Sequence, residues 1–285
     1  MNAILGTIAL EPNRWTGRRN PRFSLLELLP QIKASGFDRI EAWQWHVSNL
    51  YLKETREVRA RADELGVDFT YIGVYPSFIL EGADAREEER IQSDILDKAE
   101  ILGTRTLKIM LGVGLKGSAA TPEQKTLTAK RFGKWYREAR SRGIAMAVEL
   151  HGNTMFDPVE TGIEFMNAHP ELDFSICYQP YDFTDTAKAL DLADRFAGRI
   201  THIHLQAPQP REQGGKYDLL EESRLSYRKL IPHILFRNPG ATLTLEFVKD
   251  CIQNDKPFEL KPVLENALRD GLFVDRVLAG AETAT

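Results

Sequence analysis

A chain of 285 residues with 42% hydrophobic and 27% charged side chains has an ordinary globular balance, and its length suits one large domain or two small ones. A net charge of −4 and a pI near 5.9 argue against a phosphate-backbone partner, so no nucleic acid is expected. No apolar run approaches the roughly 18 residues of a membrane span, no basic segment precedes an apolar stretch at the N-terminus, and Cys177 and Cys251 form neither a disulfide framework nor a CxxC site; a cytoplasmic location is expected.

The first β-type run covers Ala3 to Leu10. A unit then recurs in which a polar, helix-favouring segment ends in glycine and a short β-type run follows. Gly36 precedes Phe37 to Trp43, Gly66 precedes Val67 to Ile72, Gly103 precedes Thr106 to Met110, and Gly143 precedes Ile144 to Glu149. A run from Asp173 to Tyr178 comes next. Gly198 then leads into Ile200 to Leu205, and Pro239-Gly240 into Thr242 to Phe247. Glycine after a helix takes the left-handed conformation cheaply, so each unit reads as helix, stop, strand. Eight nearly continuous apolar strands alternating with helices, without GxGxxG or GxxxxGK[ST], predict a (β/α)8 barrel as a single domain over residues 1–285; an open parallel sheet is the competitor. The loop-like stretch Gln206 to Tyr217 follows the seventh strand and is expected over the mouth as a lid.

Barrel enzymes carry their chemistry at the carboxyl ends of the strands. Read that way, strand two ends in Glu41, followed by Trp43, Trp45 and His46; strand four carries Lys108; strand five ends in Glu149, with His151 two residues on. Strand six ends near Gln179, with Asp182 beyond; strand seven carries His202 and His204; strand eight ends in Glu246. A carboxylate closing an apolar run, as Glu149 and Glu246 do, is costly to bury unless it is paired or bound to a cation. One such residue fits an ion pair across the barrel equally well; two of them, with His204 between, favour a metal. Only one of His202 and His204 is expected to face the interior, the other being a core histidine on a backbone carbonyl. Trp15, Trp43 and Trp45 suit either core packing or the stacking of a sugar ring. His169, His233 and the Glu87–Arg90 run read as ordinary surface or packing residues.

These residues resemble the xylose isomerase-like superfamily, which includes sugar-phosphate isomerase/epimerase relatives and the endonuclease IV group. Glu149-Leu-His151-Gly152 resembles its fifth-strand Glu-x-His-Gly, His202-Ile-His204 its seventh-strand His-x-His, and Thr244-Leu-Glu246 its eighth-strand glutamate. The resemblance implies one divalent metal ion held at Glu149, Gln179, His204 and Glu246. Mn²⁺ is the expected ion, with Mg²⁺, Co²⁺ and Zn²⁺ as alternatives. Strand six departs from the pattern: relatives read Leu-Asp-x-x-His where this chain reads Tyr178-Gln179-Pro180-Tyr181-Asp182. Gln179 still offers a carbonyl oxygen, but the shell is one charge less negative, and Asp182 is the substitute candidate.

The implied activity is metal-assisted isomerisation or epimerisation of a sugar through an enolate, with Glu149 and Glu246 as the acid/base pair. His151, Trp45, His46, Lys108 and Asp182 are the candidate substrate contacts. Expulsion of a leaving group from the same enolate, in a lyase or dehydratase acting on a keto-sugar or keto-glycoside, is the alternative. An endonuclease IV-like repair enzyme would need a richer His/Asp/Glu cluster and a basic surface. A barrel that only binds a ligand would lack the metal. Self-association into a homo-oligomer is left open.

Overall fold

The computed structural model describes the whole chain except residues 15, 17–18, 211–215, 255–256 and 283–285, so Trp15 lies outside the described residues. Strands β1 (Ile4–Gly6), β2 (Arg39–Trp43), β3 (Asp68–Val74), β4 (Thr106–Ile109), β5 (Ala145–Glu149), β6 (Ser175–Tyr178), β7 (Ile200–Leu205) and β8 (Thr242–Leu245) pair in parallel, each with the next. β1 also pairs with β8, Ile4 against Thr244 and Leu5 against Leu245, and closes the barrel. Around it run α1 (Leu25–Ala34), α2 (Gln44–Ser48), α3 (Leu52–Leu65), α4 (Gly82–Leu102), α5 (Pro122–Ser141), α6 (Val159–Ala168), α7 (Thr186–Asp194), α8 (Tyr227–Arg237) and α9 (Leu260–Glu282). Among the described residues no helix is long and apolar enough to cross a membrane.

Local chemistry explains where the helices start and stop. Ser24 and Glu27 form a reciprocal capping box at the start of α1, and Thr121 and Gln124 form another at α5, with Pro122 in its first turn. Helices α3 and α4 end on Gly66 and Gly103 in the left-handed region, at φ 61° and 76°. The stop expected at Gly240 is of another kind, since α8 is closed by Asn238 at φ −137°. Six strands are shorter than expected, and two of the differences bear on the site. β1 gives way after Gly6 to a 3₁₀ turn over Thr7–Leu10, and β8 ends at Leu245, which puts Glu246 just beyond it.

Side chains on a strand alternate between its faces, and this alternation separates core from site. Leu107 and Ile109, Val148, Ile176, Ile203 and Leu205 belong to the apolar core between strands and helices. The residues between them, Lys108, Glu149, Cys177, His202 and His204, face the barrel interior and are completely buried. On β3 the interior position opposite Lys108 is Gly73. A Cβ there would meet Lys108 Cε at 3.1 Å and Glu41 Oε1 at 3.2 Å, so a side chain at position 73 would displace the charged groups it faces.

Candidate metal centre at the barrel mouth

Four of the expected residues converge at the carboxyl ends of β5 to β8. One ligand atom from each of Glu149, His204 and Glu246 lies within 4.8 Å of the others. His204 Nδ1 stands 3.4 Å from Glu149 Oε1, 3.3 Å from Glu246 Oε2 and 3.4 Å from Gln179 Oε1. Ligand atoms at right angles about one ion, each about 2.0–2.6 Å from it, are about 2.8–3.7 Å apart. The donors therefore fit a single divalent ion in both spacing and chemistry. Gln206, read from the sequence only as the start of the loop, donates from Nε2 to Gln179 Oε1 at 2.9 Å and to Glu246 Oε2 at 3.0 Å. With the Gln179 amide turned over, its nitrogen lies 3.3 Å from Glu149 Oε1 and 2.9 Å from Glu246 Oε2. The same side chain can thus bridge the two carboxylates as a donor or present its oxygen to a cation.

Beneath this cluster lies a second layer of charge. Glu41 Oε2 is 2.7 Å from His202 Nε2 and 3.1 Å from His204 Nε2. Both histidines therefore face the interior, against the expectation that only one would. Residues two apart on a strand share a face, and a common carboxylate partner holds both imidazoles. His202 also stacks on Tyr71 at 3.9 Å and meets Thr242 Oγ1 at 3.0 Å. Lys108 Nζ is 2.7 Å from Glu149 Oε2 and 3.9 Å from Glu41 Oε1. Lys108 was expected to touch substrate; buried under the cluster, it serves instead as the countercharge of these carboxylates.

These contacts set the charge states. Burial alone would raise the Glu41 carboxyl, but the His204 charge and the bonds from both histidines outweigh it and hold Glu41 well below the usual range. Burial likewise opposes ionisation of Glu149, and Lys108 and then His204 overcome it, leaving the group low. Lys108 is held well above its ordinary value: burial lowers it, and Glu149 with its neighbours more than compensates. His204 is raised in the same way, against burial, by the carboxylates of Glu246, Glu41 and Glu149. Burial pushes the Cys177 thiol up to about 12, which leaves it protonated.

A cavity of about 380 Å³ opens above the cluster, with Glu246, Gln179, Gln206, His151, Trp45 and Tyr75 among its walls. His151 and Trp45, two of the expected substrate contacts, both line this cavity. His151 Nδ1 is 2.6 Å from Gly152 O, and the Arg19 guanidinium lies 4.8 Å above the Trp45 ring. Tyr75, absent from the sequence reading, also lines the cavity and carries Lys108 Nζ 4.5 Å from its ring centre. Tyr217 stacks on Phe247 at 5.0 Å as part of the same wall. The expected lid is pinned at its legs, where Pro208 and Tyr217 form an antiparallel bridge; residues 211–215 lie outside the described residues.

Two expected substrate contacts belong elsewhere. His46 sits on α2, which begins directly after β2 and turns the ring away from the cavity. Its Nδ1 is 2.9 Å from Thr7 Oγ1, and its Nε2 is 3.5 Å from Glu11 Oε2. Asp182 closes a local turn: Oδ1 accepts from Thr184 N at 2.8 Å and from Thr184 Oγ1 at 2.6 Å, and Oδ2 faces Lys188 Nζ at 3.4 Å. Of the two candidates for the strand-six contact, Gln179 joins the cluster and Asp182 does not. His233 pairs with Asp194 at 2.7 Å and Arg90 with Glu87 at 2.7 Å, as ordinary surface groups do.

The xylose isomerase-like TIM barrel family model matches residues 29–265. No curated protein matches the chain. Among solved structures, the probable 3-DHS dehydratase AsbF of Bacillus anthracis is similar at TM-score 0.72 and 17% identity, over 94% of this chain and 98% of that one. L-ribulose 3-epimerase is similar at TM-score 0.69 and 16% identity, over 100% and 97%. A xylose isomerase-like TIM barrel protein from Mycobacterium smegmatis, in complex with magnesium, is similar at TM-score 0.69 and 13% identity, over 98% and 97%. At these identities the structural likeness carries the fold alone.

Proposed function

From its place in the xylose isomerase-like TIM barrel family, to which the chain belongs, we propose that it is a divalent-metal-dependent enzyme acting on a sugar or keto-sugar by proton abstraction next to a carbonyl. The observation that carries this reading is the convergence of Glu149, His204, Glu246 and Gln179 under one cavity. These residues would hold the ion, with Mn²⁺ first and Mg²⁺, Co²⁺ or Zn²⁺ as alternatives. When bound, the ion supplies Lewis-acid polarisation of a carbonyl oxygen, worth several kcal/mol at the transition state.

The protein's own groups divide the remaining work. Glu246 stands on the cavity wall, where its carboxylate can take the proton next to the carbonyl. Gln206 Nε2 bonds Glu246 Oε2 and fixes its plane. Glu149 has one oxygen held by Lys108 and the other turned to His204. Its part is to bind the ion, with Lys108 as the countercharge. Trp45 and His151 line the cavity and orient the substrate, the indole offering a flat apolar face to a sugar ring.

Aldose–ketose isomerisation needs one base moving a proton along one face of the substrate, and elimination needs one base and a leaving group. Epimerisation needs a proton donor on each face. Because Glu149 is tied to Lys108 while Glu246 is on the wall, single-base chemistry is favoured, and the lyase or dehydratase reading is retained beside the isomerase. The test is a time course in D₂O with the Mn²⁺-loaded protein and a panel of ketoses and keto-glycosides, followed by NMR. Deuterium uptake next to the carbonyl, abolished by EDTA and restored by Mn²⁺, is the expected result. Retention of the carbon–oxygen skeleton marks isomerisation, and its loss marks elimination. Full turnover in a metal-free preparation would refute the mechanism.

A further inference from the structure

A second cavity, of about 260 Å³, lies between the end of β3 and α4. Arg19, Trp45 and Tyr75 line both this cavity and the larger one above the cluster, so the two adjoin along these side chains. The inner surface of the smaller compartment is apolar, formed by Val74, Leu80 and Ile91 with the two aromatic rings. Its polar groups are largely committed to the protein itself. Glu88 accepts from Ser77 N at 2.6 Å and from Phe78 N at 2.9 Å, and Gln44 Oε1 accepts from Tyr75 N at 2.8 Å. Glu87 is paired with Arg90.

Charge narrows the choice of occupant. Among the described residues, Asp84, Glu87 and Glu88 border the compartment against one guanidinium, that of Arg19, which lies over the Trp45 ring. A phosphate or carboxylate would meet net repulsion there. A flat, uncharged ring would find aromatic and aliphatic walls, which reward burial and offset stacking. We propose that this compartment binds an aromatic substituent of the substrate, which is then an aryl-bearing sugar whose ring sits at the cluster and whose aryl group sits beyond Trp45. The inference rests on the sugar reading above.

The test separates the two halves. Binding of 2-naphthol, as a stand-in for the aryl group, is measured by calorimetry in EDTA for the wild type, Leu80→Trp and Ile91→Trp. Mn²⁺ binding is measured on the same three proteins. The expected result is naphthol binding in EDTA that each substitution weakens about tenfold or more by filling the compartment, while Mn²⁺ affinity is preserved. Absence of naphthol binding to the wild type, or equal binding to all three folded proteins, overturns the proposal. Loss of Mn²⁺ binding in the wild type with naphthol binding intact refutes the metal–sugar reading and leaves the aryl compartment standing.

Discussion

Replacing Lys108 with Met isolates the charge design of the barrel. Three buried carboxylates, Glu41, Glu149 and Glu246, share the interior with this ammonium, whose Nζ is 2.7 Å from Glu149 Oε2. Met keeps most of the side-chain volume opposite Gly73, where even a methyl group would crowd Lys108 Cε. The change therefore removes charge with little change in packing. Breaking a buried ion pair by removing one partner costs about 3–5 kcal/mol, because the remaining charge is left uncompensated. For a chain of this size that corresponds to a fall in Tm of roughly 10 °C. A divalent ion at Glu149 would supply the missing positive charge, so saturating Mn²⁺ should recover most of the loss, and the Mn²⁺-induced rise in Tm should be larger in the variant than in the wild type. Scanning calorimetry of both proteins in EDTA and in Mn²⁺ reads all four values. An unchanged Tm in EDTA would mean that Glu149 does not depend on Lys108. A loss that Mn²⁺ does not repair would place the ion away from Glu149.

Three further outcomes follow from the same geometry. Glu246→Gln should lower the rate of deuterium uptake by about 10²–10⁴-fold, measured by NMR under saturating Mn²⁺, because the substitution removes the carboxylate on the cavity wall. Gln179→Asp should tighten Mn²⁺ binding in calorimetry, by placing an anion, on a side chain one methylene shorter, at the position whose Oε1 faces His204 Nδ1, and should hold the turnover number within about tenfold; unchanged affinity would remove Gln179 from the ligand set. Asp270 on α9 is pushed by burial from 3.8 up to about 7, with Arg269 and Lys249 lowering it and Glu222 raising it, while its Oδ1 accepts from Leu220 N at 2.8 Å. Because the folded value is raised, the stability linked to this proton is complete below about pH 4 and is lost as pH rises through about 7, at most about 4 kcal/mol at roughly 1.4 kcal/mol per tenfold. Asp270→Asn should therefore flatten the fall in Tm between pH 5 and pH 8; an identical slope would show the carboxyl already ionised at pH 5.

What the sequence disclosed depended on which signal each residue carries. The barrel was legible because its signal is repeated: Gly36, Gly66, Gly103, Gly143 and Gly198 all take positive φ where a helix stops before a strand. Glu149 and Glu246 were legible because a carboxylate closing an apolar run is anomalous by itself. His46 and Asp182 carried no such local anomaly. They were placed by proximity to a strand end, and proximity along the chain does not fix direction. One turn of α2 carries His46 to Thr7 and Glu11, and one Asx-type turn commits Asp182 to Thr184.

Glu41 shows the opposite failure. It was visible at the end of strand two, yet its role depends on partners more than 160 positions away, as the bond to His202 spans 161 residues and that to His204 spans 163. The period-two rule, applied correctly to His202 and His204, puts both imidazoles inside, and two buried imidazoles need hydrogen-bond partners there. Glu41, in the middle of β2, meets that need from across the barrel, its Oε2 lying within hydrogen-bond distance of both rings. The same accounting explains Lys108: each carboxylate added to a closed, water-poor interior demands either an ammonium or a metal, and this barrel has the ammonium beside Glu149 and the geometry for the ion between Glu149 and Glu246.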